Sequence, residues 1–218
     1  GTSSNTEFQN FFTGMATGRV KILCLHGMGK NGAWLEQQLK MLPAAFSDKV
    51  EPFFVDAPFP ISGAKDALQW YKRIPTAGGN FGIDGHEKSI DLIKDFTQAN
   101  GPFDAILGFS QGGSMASVVL GLSRKNPEKW NHGRPFKFGV FLASGLFPDP
   151  SYREALGHAK EVPTFHCLSE KDTYLPEGKS TMALFSHTKA NWHAHGHEIP
   201  TGDILFSQEL VRFISVHC

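Results

Sequence analysis

Asp104-Ala105-Ile106-Leu107-Gly108-Phe109-Ser110-Gln111-Gly112-Gly113 (DAILGFSQGG) is the stretch whose reading decides the fold. Asp104 to Phe109 is a short apolar run, the pattern of a buried strand, and Gly112 to Ser123, rich in small residues, reads as the helix that follows it. Between them, Gly108 to Gly112 matches G-x-S-x-G. A serine at a sharp strand-to-helix turn sits in strained backbone, and glycines on either side remove the Cβ atoms that would crowd the strand or the helix. Strand, turn and helix in that order make a nucleophile elbow.

Outward from this turn, apolar runs alternate with helical spacing. Strands are predicted over Val20 to Leu25, Phe53 to Asp56, Phe138 to Ala143, Pro163 to Leu168 and Trp192 to His195. Helices are predicted over Gly32 to Ala45, with a stop near Pro43, and over Gly85 to Ala99, Glu177 to Thr188 and Asp203 to Val216. Strand then helix, repeated about six times, is the pattern of a parallel sheet with both faces covered. Two connections are long. Ala57 to Asp84 is rich in Pro, Gly and aromatic residues, and Gly145 to Val162 carries Pro148 and Pro150. Such excursions serve as lids or binding loops.

The chain has 218 residues, 40% of them hydrophobic and 12% aromatic, which suits one domain with a substantial core. Lys plus Arg equals Asp plus Glu at 21 each, so the basic excess of a nonspecific nucleic-acid binder or a polybasic membrane adherent is missing. No apolar run approaches the ~20 residues of a membrane span. Cys24, Cys167 and Cys218 are odd in number and widely spaced, which suggests neither a disulfide framework nor a thiolate metal site and favours a reducing, cytoplasmic setting. Residues 1–14 are read as an added leader or a disordered segment ahead of Met15, and residues 15–218 as a single domain with a lid-like excursion at about 57–84.

A serine hydroxyl needs a base, and the base needs an acid to orient it. On a fold of this kind the order is Ser, then Asp or Glu, then His, each on a loop at the carboxyl end of a strand. Asp172 follows the strand ending at Leu168, with Glu170 and Asp149 as rivals, and His197 lies between the last strand and the last helix. Alternating His193, His195 and His197 would share one face of an extended segment, but no fourth ligand is evident, so no metal is expected.

Gly27-Met28-Gly29-Lys30-Asn31-Gly32 supports two readings. It fits the G-x-G-x-x-G dinucleotide pattern, with Asp56 at the end of the second strand. It also fits an oxyanion loop, with the N–H groups of Met28 and Gln111 aimed at a developing oxyanion. The second reading accounts for Ser110, Asp172 and His197 as well, and needs no cofactor. A third reading keeps the fold and drops the chemistry, leaving a non-catalytic small-ligand binder.

Four segments carry a family resemblance: LCLHGMGKNG (Leu23 to Gly32), FVDAP (Phe54 to Pro58), NGPFDAILGFSQGG (Asn100 to Gly113), and the pair SEKDTYLP (Ser169 to Pro176) and HAHGHEIP (His193 to Pro200). With these the chain resembles the FSH family of serine hydrolases, within the α/β-hydrolases of fungi and animals; its His-rich last loop departs from the family pattern. The resemblance implies an α/β-hydrolase fold with a mostly parallel six- or seven-stranded sheet and helices on both faces. It implies Ser110, Asp172 and His197 as catalytic residues and Met28 and Gln111 as oxyanion donors. It also implies action on carboxylic esters or acyl thioesters, with fungal members releasing acyl chains in polyketide pathways. An acyl carrier protein is then an expected partner, and Lys30, Lys72 and Arg73 are cations that a phosphopantetheine arm would meet. Trp34, Phe59, Trp70 and Tyr71 are the candidates for an apolar acyl pocket.

Overall fold

The computed structural model describes residues 18–75 and 81–218, so the expectations for residues 1–14 and Met15, and the tip of the first excursion, lie outside the described residues. In chain order the strands are β1 (Val20–Leu25), β2 (Val50–Val55), β3 (Phe59–Pro60), β4 (Leu68–Gln69), β5 (Lys72–Pro75), β6 (Phe81–Asp84), β7 (Ala105–Phe109), β8 (Phe138–Leu142), β9 (Thr164–Ser169) and β10 (Thr188–His193). The helices are α1 (Gly32–Lys40), α2 (Ala44–Ser47), α3 (His86–Asn100), α4 (Gln111–Lys125), α5 (Arg153–Gly157), α6 (Leu175–Met182) and α7 (Ile204–His217).

The main sheet has six strands in the order β10-β9-β8-β7-β1-β2, every adjacent pair parallel. Side chains alternate across it with the period of two that strands impose. Leu23, Leu25 and Ile106 enter one apolar cluster with Ile90 and Ile93 of α3 and Val118 and Val119 of α4. Ile22, Cys24, Ala105 and Leu107 enter the other, with Leu35 and Leu39 of α1 and Leu210 and Ile214 of α7. The sheet is thus buried on both faces, which accounts for strands that read as unbroken apolar runs.

Several boundaries differ from the sequence expectation, among them the strand predicted over Phe53 to Asp56, which starts at Val50 and ends at Val55. The helix predicted over Gly32 to Ala45 is two helices, because Pro43 has no N–H to continue the first and instead precedes α2. The helix predicted to Thr188 ends at Met182, and the strand predicted over Trp192 to His195 starts at Thr188 and ends at His193. Pairing decides the latter, since Thr188 to His193 run in register with Thr164 to Ser169. The first excursion also carries pairing that its composition hid: β3 pairs with β4 and β5 with β6, both antiparallel.

Candidate active site

Strand order reverses between β1 and β7, which puts the carboxyl ends of β1, β7 and β9 around one crevice, the usual location of sites in open α/β sheets. At the end of β7 the chain turns into α4 through Ser110, whose φ of 53° and ψ of −120° are a conformation side chains rarely adopt. The N–H of Ser110 donates to the Leu142 carbonyl of β8 at 2.9 Å, and its own carbonyl accepts from Gly113 and Ser114. Crowding explains the glycines. A Cβ on Gly108 would strike the Gly112 carbonyl, and one on Gly112 would strike the carbonyl oxygens of Leu25 at the end of β1 and of His26 just after it. The helix start is pressed against two strands, and the serine is tipped outward.

His197 Nε2 lies 2.8 Å from Ser110 Oγ, and His197 Nδ1 lies 2.8 Å from Asp172 Oδ2. The carboxylate can only accept at Nδ1, so Nδ1 carries the proton and Nε2 is the acceptor facing the hydroxyl. The Asp172 side chain is 4% exposed, and its other oxygen accepts from the Tyr174 N–H at 2.8 Å. The turn that brings in His197 is held by Ser169 Oγ, which accepts from the N–H groups of Lys171 and Gly196 and so ties the Asp172 loop to the His197 loop. Tyr174 and Phe109 flank the imidazole, with ring centroids at 5.1 and 5.5 Å.

The rivals go elsewhere. Glu170 is exposed, and Asp149 accepts from Ser151 N–H and lies 3.4 Å from His86. His193 is buried at the end of β10, while His195 is exposed, and the N–H of His195 donates to His193 Nδ1. Their rings stack beside each other rather than converging with His197 on one point.

Met28 and Gln111 both line the cleft in front of Ser110. Gln111 is the first residue of α4, so its N–H has no carbonyl partner within the helix. No hydrogen bond from the Met28 N–H is found among the described residues. The rest of the glycine-rich turn is occupied: Gly29 N–H donates to the Leu68 carbonyl, Lys30 bridges Leu68, and Asp56 Oδ1 accepts from Gly32 N–H at 2.6 Å. Amides engaged by the protein are not free to cradle a pyrophosphate, so the dinucleotide reading fails at this turn.

The cleft has a volume of about 250 Å³. Of the four aromatic candidates only Tyr71 lines it. Burial pushes the Tyr71 phenol up to about 12, so it faces the cleft as a neutral hydroxyl. Trp70 is fully buried: its indole N–H donates to the His26 carbonyl at 2.7 Å and its backbone N–H to Gln111 Oε1 at 2.8 Å. Trp34 packs on Phe109 with Lys30 above it, and Phe59 packs against Gly85 beneath Lys72 and Lys88, both away from the cleft. The sequence reading named Arg73 only as a cation that a phosphopantetheine arm would meet, cited Tyr174 only within a motif, and missed Ser114, Leu146 and Glu177; all five line the cleft. Tyr174 and Glu177 stand just beyond Asp172, so proximity to the acid was the available signal. Also missed was the Gln111 side chain, whose Nε2 donates to the Tyr71 carbonyl at 2.9 Å while its Oε1 holds Trp70.

The family described as serine hydrolase (FSH1) matches residues 15–207. The chain belongs to that family. An esterase of Drosophila melanogaster, CG5412, is 27% identical over 205 residues, covering 84% of this chain and 70% of the relative. Esterase FPY3 of Fusarium mangiferae is 28% identical over 226 residues, covering 89% of this chain and 95% of the relative. Among solved structures, acyl-protein thioesterase 2 of Zea mays superposes with a TM-score of 0.67 at 19% identity, covering 93% of this chain and 95% of its own, and shares the fold. The α/β-hydrolase architecture expected of an FSH1 member is therefore present, with six parallel strands. Among the described residues, no helix is long and apolar enough to cross a membrane.

Proposed function

We propose that this FSH1 member hydrolyses carboxylic esters or acyl thioesters through an acyl-enzyme on Ser110, with residues 15–218 acting as one unit. The observation that carries the reading is the unbroken chain from Asp172 Oδ2 through His197 to Ser110 Oγ, with 2.8 Å at both links. His197 Nε2 takes the hydroxyl proton as Oγ attacks the acyl carbonyl, and the buried Asp172 carboxylate stabilises the imidazolium. The N–H groups of Met28 and Gln111 receive the oxyanion. As the intermediate collapses, His197 returns the proton to the leaving alkoxide or thiolate. Water, deprotonated by the same nitrogen, then releases the acid and restores Ser110.

Labelling with a fluorophosphonate probe tests this. The expected result is label on wild type and none on Ser110→Ala, with sharply slower labelling of His197→Ala. A folded wild type that takes no label would return the non-catalytic ligand binder to the front.

The resemblance to fungal family members supports a finer reading, acyl release in polyketide biosynthesis from an acyl carrier protein. A higher kcat/KM for a carrier-bound acyl thioester than for the same acyl group on free pantetheine is expected, and equal values would remove the carrier. Two buried thiols, Cys24 and Cys167, and one exposed thiol, Cys218, are all unpaired, which supports a reducing, cytoplasmic setting.

A further inference from the structure

Arg73 is the exposed cation of the cleft that holds Ser110 and His197. It stands on β5, and its guanidinium lies 5.8 Å from the centroid of the Tyr174 ring, the same ring that packs on His197. A guanidinium over an aromatic face is steadied there and keeps its edge N–H groups for another acceptor. Among the described residues no carboxylate forms an ion pair with it; the lysine carboxylate pairs all lie elsewhere. Its neighbour Lys72 points the other way, over Phe59, as alternation along a strand requires. Glu177 supplies the one carboxylate on the cleft wall outside the Ser110, His197 and Asp172 chain, so the cleft has a positive and a negative side.

We propose that Arg73 is a specificity residue that selects acyl esters bearing a carboxylate on the acyl chain, with Glu177 turning that carboxylate toward Arg73. The proposal rests on the acyl-enzyme reading above and adds the class of acyl group. A charged partner in a partly open site is worth about tenfold in relative kcat/KM.

The test compares the p-nitrophenyl monoester of adipate with p-nitrophenyl hexanoate, which differ only in the terminal carboxylate, after subtraction of uncatalysed hydrolysis. A third ester, 4-carboxyphenyl acetate, carries the charge on the leaving group instead. Wild type is expected to favour the adipate ester, through KM more than kcat, and to lose that preference as ionic strength rises. Arg73→Met should lower the adipate-to-hexanoate ratio of kcat/KM about tenfold, Arg73→Glu should lower it further, and Arg73→Lys should keep part of it. Lys72→Met should keep the wild-type ratio. A wild type that favours hexanoate, a ratio untouched by Arg73→Met, or a ratio equally moved by Lys72→Met overturns the proposal while leaving the esterase reading intact. Preference for 4-carboxyphenyl acetate over its uncharged analogue, without preference for adipate, also overturns it by moving the charge to the leaving group. Hydrolysis of none of the esters, together with absent fluorophosphonate labelling, overturns both readings.

Discussion

At the serine turn the backbone itself is crowded, with Gly112 against the Leu25 and His26 carbonyls and Gly108 against Gly112. Across the cleft, the excursion from Ala57 to Asp84 is held by a few specific bonds: Gln111 grips Trp70 and Tyr71, Ser89 Oγ donates to the Trp70 carbonyl, and Leu68 pairs with the glycine-rich turn. One wall is positioned by close packing of main chain on main chain, which leaves almost no freedom. The other is pinned at Trp70 and otherwise built from two short antiparallel pairs with exposed side chains such as Lys72 and Arg73. The difference teaches where each property resides. The reacting atoms are set by the sheet, while the excursion brings Tyr71 and Arg73 to the cleft.

The largest effect that this comparison predicts falls on the crowded wall. Ser110→Ala should lower kcat/KM on the order of 10⁴ to 10⁶-fold with an unchanged circular dichroism spectrum. A loss of only tenfold would mean that the strained turn does not present the nucleophile. Next comes the pin of the opposite wall. Trp70→Ala removes a fully buried ring, the indole bond to His26 and the anchor of the excursion, and should cost about 3–5 kcal/mol in urea unfolding. If the midpoint hardly moves, the excursion is not joined to the core through this residue.

A third prediction probes the sheet alone, through pH. His166 is buried on β9 between Phe141 and Phe185, and burial lowers its pKa to about 3 from an ordinary value of 6.5. The folded state then binds fewer protons than the unfolded state between those values. Stability contributed by neutral His166 is present above pH 6.5 and declines as pH falls toward 3, by about 1.4 kcal/mol per unit. His166→Leu should flatten the stability profile in that window, and an unchanged acid slope would assign the loss to other groups, such as His26, whose pKa burial also lowers. The smallest effect belongs to the excursion's outer surface. Phe59→Leu weakens two contacts, with Lys72 at 5.6 Å and Lys88 at 5.4 Å, and should cost about 1 kcal/mol without altering fluorophosphonate labelling. A change in labelling rate would show that the outer face of the excursion is coupled to the nucleophile.

The parts that could be read from the chain and the parts that could not follow the same division. The parallel core was legible because a strand buried on both faces must be apolar at every position, and Val20 to Leu25 is found with the boundaries expected. Ser110, Asp172 and His197 were legible because their order and their places after strands are topological properties. The aromatic pocket was not. Phe59 and Trp70 share the excursion with Tyr71, yet only Tyr71 lines the cleft, because the direction of a side chain there depends on what the excursion docks against; Trp34, on α1, packs on Phe109 instead. The start of β10 was misplaced for a related reason, since its first residues Thr188, Lys189 and Ala190 carry no apolar signal and take their conformation from pairing with β9.

By itself, then, the sequence determined the layer architecture, the strained serine turn and the order of the two groups behind it, since periodicity, glycine and chain order are local or one-dimensional properties. Only the tertiary structure decided that Asp172 rather than Glu170 or Asp149 meets His197, that the Gln111 side chain clasps the excursion, and that Arg73 and Glu177 stand on the cleft walls. Those outcomes depend on which residues from distant segments arrive at the same place, and hydrogen-bond geometry and burial at that place choose among side chains that the linear chain presents as equivalent.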